Sequence, residues 1–267
     1  MLPSSAVHWD MVASGYAMST MDFLEKYSIS ALDMTEVGAG DTLADIACGP
    51  GALALHAASR GASVTAVDFS VNMLSQLQQQ VTERNIRNLH TFLENGENLS
   101  LASDSFDFAF SMFGLNFYQK RKRGFRELHR IVKPGGTACV GVFASPEQSP
   151  LIEHLFGIVE EIAPSPPSPA NDIDSLEHPN ILRREMVVAG FSDVHIQPVV
   201  HETEFKSAQD FVARMAKGSA PLLMLRGRMS DAEWNEALDR ASTRLEEKAG
   251  PFPKHLGATA LLAIGHK

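Results

Sequence analysis

Between Thr42 and Phe143, short apolar strands alternate with helix-patterned segments, and this alternation restricts the fold more than any other property of the chain. Thr42-Leu-Ala-Asp-Ile-Ala47 reads as a buried strand ending in Gly-Pro-Gly, and residues 52–59 as a helix closed by Gly61. Ser63-Val-Thr-Ala-Val-Asp68 is a second, β-branched strand. Ser70 is then placed to cap a helix carrying Met73, Leu74, Leu77 and Val81 at helical spacing. Residues 89–93 give a third strand. Residues 106–113 give a fourth, almost all apolar, as a strand covered on both faces should be. A helix over 121–132 presents Phe125, Leu128 and Ile131 on one side, Lys133-Pro-Gly-Gly136 stops it, and residues 137–143 form a fifth strand. Strands separated by helices imply right-handed crossovers and a parallel sheet. Such sheets bind ligands at the carboxyl ends of their strands, where the strand order reverses.

The flanks follow a different pattern. The first 40 residues are loosely amphipathic and helical, with Met21, Phe23, Leu24, Tyr27 and Ile29 as apolar positions. Seven of the 14 prolines lie within 146–179, so no single helix spans that stretch, although residues 151–163 suit an amphipathic one. Pro164-Ser-Pro-Pro-Ser-Pro169 reads as a stiff connector. Residues 193–205 suit a long strand, and two helices follow. Ser207 caps the first of them; Ser230 with Glu233 makes a capping box for the second, whose apolar stripe runs Trp234, Ala237, Leu238, Ala241 and Leu245. Residues 258–265 give a last strand. The expected organisation is one domain over 1–267. It has a helical cover at 1–40, a ligand-binding core at 41–145, cap insertions at 146–190 and 206–252, and closing strands at 191–205 and 255–267.

Composition agrees with a single α/β domain: 267 residues, 44% of them hydrophobic, are enough for a sizeable core. A formal charge of −9 argues against a nucleic-acid partner, which needs a broad basic surface. The basic run Lys120-Arg-Lys-Arg123, with Arg126 and Arg130, sits at a helix start and reads as solvated surface. Two cysteines, Cys48 and Cys139, form no CxxC pair, so neither a disulfide framework nor a metal site is expected. There is no leader pattern and no apolar run of spanning length, so the expectation is a cytoplasmic chain with no membrane partner. Exposed cap helices leave room for a homodimer.

The chemistry concentrates at Asp45-Ile-Ala-Cys-Gly-Pro-Gly51. Gly49 and Gly51 let the backbone turn tightly and approach a ligand, and the following helix offers free N–H groups. Asp68 ends the next strand, where a carboxylate can accept both hydroxyls of a ribose. An ordinary βα turn and a helix-capping Asp are the plainer readings of these features. A dinucleotide fold remains open as well, since Gly49-Pro-Gly51-Ala-Leu-Ala54 approximates GxGxxA. Asp45 discriminates: its carboxylate opposes a pyrophosphate but welcomes a sulfonium ligand bearing an ammonium group.

Four motifs in order then resemble the class I S-adenosylmethionine-dependent methyltransferases, in particular the small-molecule branch related to ubiquinone C-methyltransferases. They are Leu43-Ala-Asp-Ile-Ala-Cys-Gly-Pro-Gly51; Val64-Thr-Ala-Val-Asp-Phe-Ser70; Asn95-Gly-Glu-Asn-Leu99 with Ser105-Phe-Asp-Phe-Ala109; and Leu128-His-Arg-Ile-Val-Lys-Pro-Gly-Gly136. The resemblance covers roughly residues 9–145 and the closing strand. It implies a Rossmann-like sheet of about seven mostly parallel strands, helices on both faces and a helical cap, with S-adenosyl-L-methionine as cofactor. By that resemblance Asp45, Ala47, Gly49 and Gly51 face the methionine part and Asp68 holds the ribose. Phe69 and Met73 lie near the adenine, and Asn95, Gly96 and Glu97 near its amine. Ser111 and Met112 lie beside the transferable methyl, and Tyr16 covers the carboxylate end. Asn95 departs from the family, which usually has Asp there.

The implied acceptor is a small, fairly apolar molecule methylated on O, N or C. Phe113, Phe117 and Tyr118 follow the fourth strand and are placed to line its pocket, with Met215 from the cap; packing of cap on core is the plainer role for Met215. His8 precedes the Tyr16 motif and is the one candidate base, though a lone His is more often incidental. No catalytic residue is named, because a sulfonium methyl is already activated and a base is needed only when the nucleophile arrives protonated. Two other readings stand beside this one: a nicotinamide-dependent oxidoreductase and a non-catalytic cofactor-binding regulator.

Overall fold

A computed structural model of the chain describes residues 6–163 and 175–267. The Pro-rich connector expected at 164–169 lies outside the described residues. The alternating core is present as expected. β1 (Thr42–Ile46), α3 (Ala54–Ser59), β2 (Ser63–Asp68), α4 (Val71–Glu83), β3 (Leu89–Leu93), β4 (Phe106–Met112), α5 (Arg121–Ile131) and β5 (Val132–Phe143) follow one another. Before them come α1 (Ala6–Ser19) and α2 (Met21–Met34). After them come α6 (Pro150–Ile162), α7 (Pro179–Ala189), β6 (Ser192–Phe205), α8 (Ala208–Gly218), α9 (Ala220–Arg226), α10 (Asp231–Ala249) and β7 (Lys254–His266).

The seven strands form one sheet in the order β3-β2-β1-β4-β5-β7-β6. β3, β2, β1, β4 and β5 pair in parallel, whereas β7 runs antiparallel to both of its neighbours. The chain order reverses between β1 and β4, which puts the ligand crevice above Ile46 and Met112. Both faces are covered. Phe125, Leu128 and Ile131 of α5 and Leu182 and Met186 of α7 bury one face. Leu32, Leu55 and Leu77, from α2, α3 and α4, bury the other. β4 is apolar except at Asp107 and Ser111, as suits a strand covered on both faces over most of its length.

The expected helix caps are all made. Ser70 Oγ accepts from Met73 N, Ser207 Oγ from Asp210 N, and Ser230 with Glu233 completes a reciprocal box.

Three expectations need correction. Lys133-Pro-Gly-Gly136 is not a free turn but the first part of β5, with a register shift opposite Phe106/Phe108. Lys267 ties it down: Gly135 N donates to Lys267 O, and Lys267 N donates to Gly136 O. The stretch 146–190 does not act as one cap insertion. α6 joins α8 and α10 around Phe205, Phe211, Trp234 and Leu245, whereas α7 lies on the sheet beside α5 because Leu182 and Met186 extend the core on that face. Three helices rather than two separate β6 from β7, α9 being the extra one.

Candidate cofactor site

The loop after β1 and the end of β2 are tied together by one carboxylate. Asp68 Oδ2 accepts from Gly49 N at 2.8 Å and Oδ1 from Ser70 N at 2.9 Å. Asp68 therefore sets the loop's shape before any ligand arrives. Gly49 has a left-handed φ of 54°, and the space beside it is open. Gly51, also left-handed at 99°, faces inward: any side chain there would strike Leu77 and crowd Leu55. It packs the loop on α3 and α4 and lines neither cavity described below, which corrects the expectation that it faces the ligand.

Two non-glycine residues hold left-handed backbone at this point, Ala47 (φ 60°) after β1 and Phe113 (φ 63°) after β4. Such residues are rare and persist where the surroundings force them. Here the two strand ends meet, so closely that a Cβ on Gly114 would lie 2.5 Å from that of Ala47.

A cavity of about 270 Å³ opens above these strand ends. It brings together Tyr16, Ala47, Gly49, Asp68, Phe69, Met73, Asn95, Gly96, Glu97 and Met112, residues drawn from α1, β2, α4, β4 and three loops. Phe113, Phe117 and Tyr118, expected to line a separate acceptor pocket, line this same cavity. Tyr118 in particular lies against Gly96, its hydroxyl occupying the space that a side chain at Gly96 would need. It lies at the Asn95–Glu97 end of the cavity. Met215 lines no cavity described here; it packs on the α6–α8–α10 cluster, because that face of α8 is turned toward α10. Ser111 is fully buried beneath Gly114, with no hydrogen-bond partner for its Oγ and no exposure to either cavity.

A second cavity of about 40 Å³ shares Tyr16, Ala47, Gly49, Met112 and Phe113 with the first and continues it beneath the loop. Asp45 lines it, 1% exposed, with Oδ2 lacking a partner. Burial, reinforced by the Asp68 charge, raises the Asp45 carboxyl to about 7, with the Ala54 N–H pulling the other way. Burial also raises Asp68 to about 6, against three backbone N–H bonds that favour its charged form. Among the described residues no Lys, Arg or His lines either cavity, and His8 lines neither.

α1 covers the first cavity. Trp9 and Tyr16, two turns apart on one helix face, meet edge to face at 5.8 Å, and Trp9 meets Phe117 at 5.0 Å. The helix is fastened by Asp10, whose carboxylate accepts from Ser70 Oγ at 2.6 Å and Asn72 N at 3.0 Å, at the N-terminus of α4. The residue pattern alone gave neither Trp9 nor Asp10 a role. The i, i+7 spacing of Trp9 and Tyr16 was the available signal. It also passed over Ser28 of α2, which lines the second cavity. The basic run at 120–123 is largely surface, while Arg130 bonds Glu127 and the carbonyls of Leu99 and Leu101.

Comparison with known proteins agrees with this arrangement. A family model described as a methyltransferase domain matches residues 44–140. The malonyl-[acyl-carrier protein] O-methyltransferase of Pseudescherichia vulneris is 35% identical over 38% of this chain and 38% of its own length. The ubiquinone/menaquinone C-methyltransferase UbiE of Geotalea daltonii is 32% identical over 42% and 49%. The chain thus matches under half the length of these curated relatives. In structure it resembles the YcgJ protein of Bacillus subtilis, at 16% identity, TM-score 0.61 and coverage of 91% and 98%. The [4+2]-cyclase SpnF has TM-score 0.60 at 19% identity, covering 91% and 81%. The fold alone therefore does not fix the reaction. The motifs, the strand order and the family match thus agree in placing a methyltransferase domain at residues 44–140.

Proposed function

We propose that the chain transfers a methyl group from S-adenosyl-L-methionine to an O, N or C atom of a small, fairly apolar molecule. The observation that carries this reading is the pair of buried carboxylates, Asp45 and Asp68, at adjacent strand ends, one of them with an oxygen lacking a partner and lining a cavity. Such an oxygen is costly unless a donor reaches it, and a cationic ligand supplies one. The residues present fit the cofactor. Asp68 is available to the ribose hydroxyls, Asn95, Gly96, Glu97 and Tyr118 to the base, and Asp45, Gly49 and Tyr16 to the amino-acid end. A dinucleotide fits poorly, because its pyrophosphate would meet the Asp45 and Asp68 carboxylates and, among the described residues, no Lys, Arg or His.

When bound, the cofactor supplies an electrophilic methyl group on a sulfonium. The protein's part is orientation and exclusion of water. Met112, Phe113 and Phe117 form an apolar wall, and α1 closes the opposite side. Alignment of this kind supplies about 7–11 kcal/mol in favourable cases. Among the described residues no His lines the site, and the carboxylates that do are Asp45, Asp68, Glu94 and Glu97, away from the apolar wall; this suits a nucleophile that arrives deprotonated or is an unprotonated amine or carbon. A volume of about 270 Å³ lies just under the usual range for small-molecule sites.

Calorimetric titration with S-adenosylhomocysteine and with NADH tests the cofactor, and an acceptor panel with a labelled methyl donor tests the transfer. Micromolar affinity for NADH and none for S-adenosylhomocysteine would refute the reading. Binding without turnover across the panel would favour a non-catalytic regulator. A cytoplasmic setting and a homodimer are part of the proposal. Among the described residues no helix is long and apolar enough to cross a membrane.

A further inference from the structure

α1 is apolar on two opposite faces. Its inner face, with Trp9, Val12, Ala13 and Tyr16, packs on Met73 and Ala220 and lies over the larger cavity. Its outer face carries Val7, Met11, Ser14 and Met18, at i, i+4, i+7 and i+11, which brings all four onto one stripe. Met18 is 84% exposed, Val7 66% and Met11 65%, and these are the three most exposed large apolar side chains among the described residues. Ser14 between them is exposed too. The stripe is bounded by close packing on both sides. Asp10 is held by Ser70 and Asn72 at the start of α4, and Gly15 lies against Lys217 and Leu223 of α8 and α9. A helix that is apolar on all sides belongs in an interior. Here one apolar face is open to solvent, directly above a ligand site.

Chemistry separates the occupants that such a face could take. A helix that lies on a lipid surface carries Lys or Arg beside its apolar face. α1 has neither: its only acidic or basic side chains are His8 and Asp10, and the chain's charge of −9 opposes an anionic lipid surface. A foreign protein is selected largely by charge, and the stripe offers none. A second copy of the chain needs only self-complementarity. The spacing of four, three and four residues is the seam of a coiled coil, and it reads the same from either end. Antiparallel pairing about a two-fold axis sets Val7 opposite Met18 and Met11 opposite Ser14, a larger side chain against a smaller one in every layer. We infer that α1 is the contact between two copies of this chain, and that the contact holds α1 over the cavity. This gives the homodimer proposed above its surface, and its effect on the ligand rests on the cofactor reading. Trp9 and Tyr16 line the site from the inner face, so a partner on the outer face opposes the motion that would open it. A helix of 14 residues, about 21 Å long and about 10 Å across, offers well under the ~800 Å² per partner of a standard interface, so the association is concentration-dependent.

Sedimentation velocity of the whole chain without ligand, from about 1 µM to about 200 µM, reads the contact itself. Wild type should pass from monomer to dimer across that range. Met11→Glu sets like charges near the two-fold axis and alters no cavity residue; it should stay monomeric and keep the wild-type melting temperature. Met11→Leu should still dimerise. The register has its own readout. An oxidised equimolar mixture of Val7→Cys and Met18→Cys should cross-link, and neither variant alone should, because identical positions lie about 16 Å apart along the paired helices. The native Cys48 and Cys139 are buried and stay out of the reaction. Titration with S-adenosylhomocysteine reads the coupling. Its Kd should be several-fold lower for wild type at dimeric than at monomeric concentration, and Met11→Glu should keep the monomer's value throughout. By reciprocity, S-adenosylhomocysteine should tighten the wild-type dimer by the same factor. A wild type that is monomeric at the top of the range, or a dimer that survives Met11→Glu, overturns the contact. So does co-sedimentation of wild type, but not Met11→Glu, with phosphatidylcholine–phosphatidylglycerol vesicles, which assigns the stripe to lipid. A dimer whose Kd matches the monomer's overturns the hold on α1. A dimer that binds no S-adenosylhomocysteine overturns the cofactor reading and leaves the contact standing.

Discussion

Replacing Asp45 by Asn should change how the protein's stability depends on pH. Asp45 is 1% exposed, and its folded-state value of about 7 lies well above the ordinary carboxylate range because burial and Asp68 both disfavour its charge. Between the unfolded value of about 4 and the folded value near 7, the native state holds a proton that the unfolded chain releases. Stability from this group is complete at acid pH and falls as pH rises through 7. From pH 5 to pH 8 the loss is about 2–3 kcal/mol, from 1.36 kcal/mol per pH unit over roughly two units.

Asn carries no charge and removes that slope. Its amide has its own unmet donors, but that cost does not vary with pH, so the pH dependence of the difference isolates the ionisation. Asp68, raised to about 6, contributes a slope of the same sense in both proteins and largely cancels. Urea unfolding of ligand-free wild type and Asp45→Asn at pH 5, 6, 7 and 8 gives the comparison. The variant should gain about 2–3 kcal/mol relative to wild type across the series, or about 5 °C in melting temperature for a chain of this size. The same ionisation predicts that wild-type affinity for S-adenosylhomocysteine rises as Asp45 becomes charged near pH 7, and that the variant lacks that rise. Parallel stability curves for the two proteins would refute the argument: Asp45 would then ionise as an ordinary exposed carboxylate does.

Three further outcomes follow from the site. Asp68→Ala should weaken S-adenosylhomocysteine by about 1.5–3 kcal/mol, tenfold to 150-fold, and also lower the melting temperature, because Gly49 N and Ser70 N lose their acceptor; calorimetry and thermal unfolding check the two effects. Asp10→Ala should loosen α1 by about 1 kcal/mol, raising the cofactor dissociation rate several-fold with a red shift in Trp9 emission; an unchanged rate would mean that packing against Met73 and Ala220 holds the helix by itself. Met215→Ala should destabilise the protein by about 1–3 kcal/mol in denaturant titration, less than a fully buried Met, and leave ligand affinity unchanged, since Met215 lies within the cap cluster and lines neither cavity.

The core was legible because its signals are local. A strand enclosed on both faces is apolar throughout, a helix cap is a serine three residues from its partner, and both appear in a short window of sequence. β2 and the cap at Ser70 accordingly fall where residue patterns put them. The glycine loop and Asp68 were legible for the same reason. The ends of β6 and β7 were less so, since a long antiparallel pair extends as far as its partner does.

What sequence could not decide is which side chains converge. Spacing identified Asp45 as chemically informative, but only the packing of α2 under the loop brings Ser28 to the same cavity, from 17 residues earlier in the chain. Sequence order put Tyr118 with an acceptor pocket; the turn after β4 carries it back against Gly96. Hydrophobicity made Met215 a candidate contact, and helix orientation assigned it to the cap's own core. The sequence by itself determined the alternation of elements, the loop and the two carboxylates, because these depend on interactions among near neighbours. The tertiary structure decided the burial that raises Asp45, the closure by α1 and the meeting of Ser28 and Asp45 at one cavity, because desolvation and long-range packing exist only once distant segments have met.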